Sequence, residues 1–401
     1  MEKGNQAKPH IGIFGRTNVG KSSLINALTG QDVAIVSDVA GTTTDSVKKS
    51  MEIKGVGAVV LIDTAGIDDA STLGKKRIEK AIQTIETIDM AVLVIADNAF
   101  GDDERMLINN FKHYKVPFVI VHNKSDKVDL NEDLKQRLEK EYSVGVMGFC
   151  SFDSGKDVRD LTLLIRKTMP QTAYMHNGFL GSIIKPRSVV LLVTPIDSSA
   201  PEGRMILPQV QMIRDVLDND SVAIVVKETE LGYTLNNVCP EPALVITDSQ
   251  AFSKVSQIVP KEIALTSFSI LLAKSRGNFE AYLKGTPCLD RLKDGDRILM
   301  LESCSHQPSC EDIGRVKLPK WIRDYTGKNL YFDVFAGLTQ IEEEIQEYAM
   351  VIQCGGCMIT QKQIASRLLA ALEYGIPVSN YGLVIAYIHG IFNRATEIFR
   401  K

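Results

Sequence analysis

Residues 11–28 read Ile11-Gly12-Ile13-Phe14-Gly15-Arg16-Thr17-Asn18-Val19-Gly20-Lys21-Ser22-Ser23-Leu24-Ile25-Asn26-Ala27-Leu28. A short apolar run enters a glycine-bounded loop and an amphipathic segment leaves it, so the stretch predicts strand, loop, helix. The spacing G-x-x-x-x-G-K-[ST] wraps backbone N–H groups around phosphate oxygens, sets the Lys21 ammonium on the β and γ oxygens and leaves the Ser22 hydroxyl for Mg2+. Gly15 and Gly20 keep side chains out of the phosphate's way. The helix that begins at Lys21 turns its positive end toward the same anion.

Outward from this loop, apolar runs alternate with helical periodicity as far as about Met169, which predicts a doubly wound α/β domain. Strands are expected at 58–63, 90–96 and 118–122, and ligands in such sheets bind at the carboxyl ends of strands. Polar residues collect there: Asp63-Thr64-Ala65-Gly66 after one strand and Asn123-Lys124-Ser125-Asp126 after another, with Gly41-Thr42-Thr43-Thr44-Asp45 before the first. Asp63 can hold Mg2+ through water, Gly66 can offer its N–H to a γ-phosphate, and a Thr43 hydroxyl can complete the metal's shell. Asp126 can accept two hydrogen bonds from guanine that adenine cannot offer, and Asn123 can reach the base's other edge, so the site selects GTP. Ile67 stands where many signalling GTPases keep a water-positioning glutamine, which predicts slow, conditional hydrolysis.

Length and composition set the bounds. A chain of 401 residues holds two or three domains, and 44% apolar with 24% charged residues is ordinary for a globular protein. A formal charge of -3 argues against general nucleic-acid binding. No apolar run approaches the roughly 18 residues of a membrane span, and the start carries no signal-peptide core, so no membrane is expected and the cytoplasm is the expected compartment. Seven cysteines without dense pairing suit a reducing compartment.

With these motifs in order, residues 10–170 resemble the translation-factor-type GTPases, in the branch that modifies tRNA and assembles ribosomes. That family reads G-T-T-R-D where Thr44 here replaces the arginine. The resemblance places Ser151 of Cys150-Ser151-Phe152 at the guanine-contacting loop. It also places Asn18 where potassium-activated members hold K+ beside the phosphates, a charge that can stabilise the transition state. The resulting nucleotide-binding set is Gly15, Asn18, Val19, Gly20, Lys21, Ser22, Ser23, Asp63, Gly66, Asn123, Lys124, Asp126 and Ser151, with Lys21, Asn18, Thr43 and Gly66 as the catalytic group.

Beyond a non-periodic linker at 171–180, a second alternation begins at Ser188. Strands are expected at 222–226 and 244–247 and helices at 208–217 and 250–259, with no phosphate loop and no ligand cluster, which suggests an interaction or dimerisation domain. The third segment opens with a helix expected at 268–284. A strand at 297–301 then runs into Glu302-Ser303-Cys304-Ser305-His306, and another at 348–352 runs into Gln353-Cys354-Gly355-Gly356-Cys357. If those strands pair in parallel, Cys304, Cys354 and Cys357 converge, with His306 nearby. Three thiolates suit a [4Fe-4S] cluster with one iron bound otherwise, or zinc completed by histidine; a redox dithiol or simple packing are the alternatives.

Joined to the GTPase motifs, the C-x-H and C-x-x-C arrangement resembles the iron-only hydrogenase maturation GTPases, the HydF family, over essentially the whole chain. Gln353 replaces the histidine of that family's H-C-x-x-C, leaving His306, water or a carboxylate such as Glu397 for the fourth iron. The resemblance implies an α/β architecture of a P-loop GTPase domain (1–170), a dimerisation domain (171–265) and an iron-sulfur cluster domain (266–401). It implies a homodimer that assembles or carries the di-iron precursor of the hydrogenase active site, with two radical maturation enzymes and apo-hydrogenase as partners. A tRNA-modification or ribosome-assembly GTPase with a structural zinc domain is the competing reading.

Overall fold

The computed structural model describes residues 8–29, 47–53, 55–68, 72–151, 155–170, 178–195, 205–239, 241–303, 312–337, 344–357 and 359–400. Thr43, Cys304 and His306 lie outside them. The chain divides into two compact units, Met1–Met175 and His176–Lys401.

In chain order the first unit comprises β1 (His10–Phe14), α1 (Lys21–Thr29), β2 (Val47–Ile53), β3 (Gly57–Asp63), α2 (Thr72–Thr87), β4 (Met90–Ile95), α3 (Asp102–His113), β5 (Phe118–His122), α4 (Glu132–Tyr142), β6 (Val146–Gly148) and α5 (Lys156–Thr168). One sheet carries all the strands in the order β2-β3-β1-β4-β5-β6, parallel except for β2. Strand β4 shows why its sequence is apolar without alternation: Val92 and Val94 enter one core with Leu24 and Leu161, while Leu93 and Ile95 enter another with Phe14 and Phe111. Helices cover both faces, as a parallel sheet requires. The strand order reverses around β1, which puts the loop after β1 at the crevice where such sheets bind ligands.

The second unit comprises β7 (Val189–Val193), α6 (Leu207–Asp218), β8 (Val222–Val226), α7 (Leu231–Asn237), β9 (Leu244–Thr247), α8 (Phe252–Ile258), β10 (Leu265–Ser267), α9 (Phe268–Arg276) and α10 (Phe279–Gly285). It continues with β11 (Arg297–Leu301), α11 (Leu318–Thr326), β12 (Tyr331–Phe335), β13 (Tyr348–Gln353), α12 (Gln361–Glu373), β14 (Val378–Asn380), α13 (Tyr381–Ile388) and α14 (Phe392–Glu397). Two four-stranded sheets result, β10-β9-β7-β8 and β12-β11-β13-β14, parallel throughout. One hydrophobic cluster runs through both, joining Leu191 and Val245 of the first sheet to Met300 and Val351 of the second. Among the described residues no helix is long and apolar enough to cross a membrane.

Two expectations are corrected here. The helix expected over 268–284 is two helices, because Tyr282 folds back over Gly277: a Cβ there would lie 2.2 Å from Tyr282 Cε2. Asn278 then starts the second helix by accepting from the Ala281 N–H at 3.2 Å. The domain boundary expected at 265/266 falls inside β10, whose Leu265–Ser267 pair with Val245–Thr247.

Candidate functional site

The loop after β1 is held by its own carbonyls and by neighbouring loops. Lys21 is buried, and its Nζ donates to the carbonyls of Gly15 (3.1 Å) and Arg16 (2.7 Å). Burial pushes the pKa of the ammonium down to about 8, against the pull of Asp63 and Asp68, so an arriving phosphate would meet a cation short of compensating charge. Ser22 Oγ donates to Asp63 Oδ2 at 2.9 Å. Burial raises the pKa of the Asp63 carboxyl and the Ser22 bond opposes it. Asp63 Oδ1 is buried with no partner among the described residues, next to the hydroxyl that Mg2+ would use. Hard oxygen donors with an unsatisfied carboxylate fit that ion, and Ser22 and Asp63 are the residues that would hold it.

Two contacts absent from the motif reading brace the loop. Arg16 makes a forked pair with Glu104 of α3, Nε to Oε1 and Nη2 to Oε2 both at 2.8 Å, and Glu104 is 1% exposed. Asp68 Oδ1 accepts from the Thr17 N–H at 2.6 Å and from its hydroxyl at 2.5 Å. Burial alone would raise Asp68, but the Thr17 donors outweigh it and hold the carboxyl below its ordinary range.

The loop after β5 is tied to the phosphate loop rather than standing apart. Asn123 is buried; its Nδ2 donates to the carbonyls of Val19 (2.9 Å) and Gly20 (3.3 Å), and its Oδ1 accepts from the Ser151 hydroxyl at 3.1 Å. Its side chain is therefore a strut between loops, a role the motif reading did not include. Lys124 Nζ donates to the Asn18 carbonyl at 2.6 Å, and Asn18 adopts the left-handed φ of 60°. Asp126 is exposed at the same end of the sheet and Ser23 is exposed on α1, while Val19 packs into the core.

In the second unit β11 and β13 are parallel neighbours, with Leu301 opposite Gln353, as the convergence of their loops required. The Cys354 sulfur lies 2.9 Å from Ser303 Oγ and accepts from the Ser303 N–H at 3.2 Å and from Gln353 Nε2 at 3.5 Å. Gln353 Oε1 is buried without a partner among the described residues. Two arginines, Arg276 buried and Arg367 half-buried, hold the loop ends: Arg276 donates to the Gly356 carbonyl at 2.7 Å, and Arg367 to those of Glu302 (2.8 Å) and Phe335 (3.1 Å). Burial lowers the pKa of both guanidiniums while Cys357, for Arg276, and Cys354, for Arg367, pull it up. The five described cysteines are all free of disulfides. Among the described residues no three His, Cys, Asp or Glu side chains are grouped to hold a metal, so the described part of the site is a pair of cysteines amid N–H donors and cations. Such surroundings fit thiolates or an anionic cluster. Glu397 is exposed at the end of α14.

The strand order, the phosphate loop and the loops at Asp63 and Asn123 define a P-loop GTPase that uses GTP and Mg2+, and residues 10–124 match the family model described as 50S ribosome-binding GTPase. The tRNA modification GTPase MnmE of Nitrosomonas eutropha is 37% identical over 161 residues, covering 39% of this chain and 34% of that protein. GTPase Era of Halothermothrix orenii is 35% identical over 134 residues, 33% of this chain and 45% of that one. The chain thus spans less than half the length of these relatives. A point variant of Aquifex aeolicus Era bound to GDP.AlF4- aligns at 19% identity and a TM-score of 0.37, over 55% of this chain and 93% of that one.

The rest of the chain is more particular. Residues 179–277 match the hydrogen maturase F dimerization domain and residues 280–398 its tetramerization domain, both of them self-association modules. The chain belongs to the hydrogen maturase F (HydF) family of hydrogenase maturation GTPases.

Proposed function

We propose that this GTPase is a self-associating scaffold that carries an iron-sulfur cluster on Cys304, Cys354 and Cys357 and delivers the di-iron precursor of the hydrogenase active site to apo-hydrogenase. The observation that supports it most is the pairing of β11 with β13, which brings Ser303 to the sulfur of Cys354 at the shared carboxyl end of two parallel strands. A [4Fe-4S] cluster with one iron not bound by thiolate would supply an exchangeable position for the precursor. Around it the Ser303 and Gln353 donors would orient sulfur, and Arg276 and Arg367 would hold the two loop ends and offset negative charge. His306 is the proposed occupant of the remaining iron position.

The GTPase unit acts on this reading as a slow conformational regulator. Ile67, beside Gly66, is 2% exposed in the core and has no polar group to orient a water, which supports slow hydrolysis. K+ held near Asn18 is proposed to stimulate it, with Lys21, Gly66 and Thr43 completing the catalytic group. The proposed partners are a second copy of the chain, which the dimerization and tetramerization domains support, and the radical maturation enzymes and apo-hydrogenase. Anaerobic reconstitution with iron and sulfide tests the carrier role. A brown protein with a cluster EPR signal on reduction supports it, and one zinc per chain with no iron would sink it.

A further inference from the structure

The phosphate loop has an acceptor of its own chain on a donor that a nucleotide would use. Gly66, whose N–H faces the γ-phosphate in a P-loop GTPase, lies against Thr17: a Cβ on Gly66 would be 2.3 Å from Thr17 Oγ1 and 2.6 Å from its N. Thr17 therefore marks the γ end of the loop, whereas Gly20, Lys21 and Ser22 at the start of α1 mark the end that takes the inner phosphates. Two residues beyond Gly66, the Asp68 carboxylate binds both the N–H and the hydroxyl of Thr17. A carboxylate and a terminal phosphate are alike as acceptors and repel each other as charges, so one donor pair cannot serve both.

We propose that Asp68 sets the preference between tri- and diphosphate: it occupies the Thr17 donors that a γ-phosphate needs, so GTP binds only by displacing it, while GDP binds beside it. Triphosphate affinity is then lowered by the fraction of time the Asp68–Thr17 contact is open, and diphosphate affinity is not. Displacement also gives the γ-phosphate a mechanical consequence, since Asp68 follows directly on Ile67 and Gly66 and its release frees the end of that loop.

The test is direct titration of the full chain with a non-hydrolysable GTP analogue and with GDP, comparing the parent with Asp68→Ala. A gain of about tenfold for the analogue, with GDP changed less than about twofold, is expected if the contact is closed about nine-tenths of the time. Equal changes for both nucleotides, or a weaker analogue, would overturn it. Should Asp68→Ala lose GDP binding through misfolding, Asp68→Leu carries the same comparison with the side-chain size nearly kept and the acceptor for Thr17 removed. A selective gain for the analogue again supports the proposal, and no selective gain overturns it.

Discussion

Ser22 Oγ donates to one oxygen of Asp63 at 2.9 Å, and the other oxygen of Asp63 is buried without a partner among the described residues. A divalent cation between hydroxyl and carboxylate satisfies both. Asp63→Asn keeps the shape and removes the charge, so GTP hydrolysis should fall about 100-fold and need more Mg2+, while Mg2+-free GDP binding changes little. Hydrolysis rates across a Mg2+ titration check this; an unchanged Mg2+ requirement would place the metal elsewhere.

Asn123 links three loops by hydrogen bonds to Val19, Gly20 and Ser151. Truncation to Ala should weaken GTP and GDP together by about tenfold, because it loosens the phosphate loop itself. Asp126→Asn should instead narrow the GTP to ATP ratio and leave the phosphate loop intact. Calorimetry on the two variants separates the roles, and a base-selective loss in Asn123→Ala would contradict the strut.

His122 is buried at the end of β5, and its Nε2 accepts from the Asn98 N–H at 3.1 Å. That bond needs the neutral ring, and burial lowers the imidazole pKa despite the pull of Asp97 and Asp129. Since the folded value lies below the ordinary one of about 6.5, the stability from neutral His122 is whole above that pH and is lost as pH falls through the folded value. Thermal unfolding between about pH 7.5 and 5 should show a steeper loss in the parent than in His122→Asn; parallel curves would exclude this group.

Gly277→Ala would push a methyl group into the Tyr282 ring. A loss of about 1 to 3 kcal/mol is expected, measured as a lower denaturant midpoint with unchanged slope. No loss would mean that Tyr282 moves aside freely.

What could be read from residues alone follows the chemistry that carries it. The strands at Phe118–His122, Leu244–Thr247 and Arg297–Leu301 end where composition changes, because buried parallel strands are continuous apolar runs. Strand β2 escaped notice because Val-Lys-Lys-Ser-Met-Glu-Ile is an edge strand, largely exposed and stocked with lysine. At the site, the motif residues Lys21, Ser22, Asp63 and Asn123 come together, since spacing encodes that chemistry. Arg16, Glu104, Asp68, Ser303, Arg276 and Arg367 were not legible, because each acts through a partner 32 to 88 positions away, and both Arg276 and Arg367 act on backbone carbonyls. Only Glu104 left a trace: it closes the turn from Gly101 with a 2.7 Å bond at the start of α3, a carboxylate where a helix favours one.

The central claim of the proposal is that the cysteines of the loops after β11 and β13, with Cys354 beside Ser303, hold an iron-sulfur cluster independently of the nucleotide loop. Iron per chain after anaerobic reconstitution, measured for the parent, Lys21→Ala and Cys354→Ala, tests it most directly. The account predicts about four irons in the parent and in Lys21→Ala, with hydrolysis lost in the latter, and little or none in Cys354→Ala. Full iron in Cys354→Ala, or none in the parent, would contradict it.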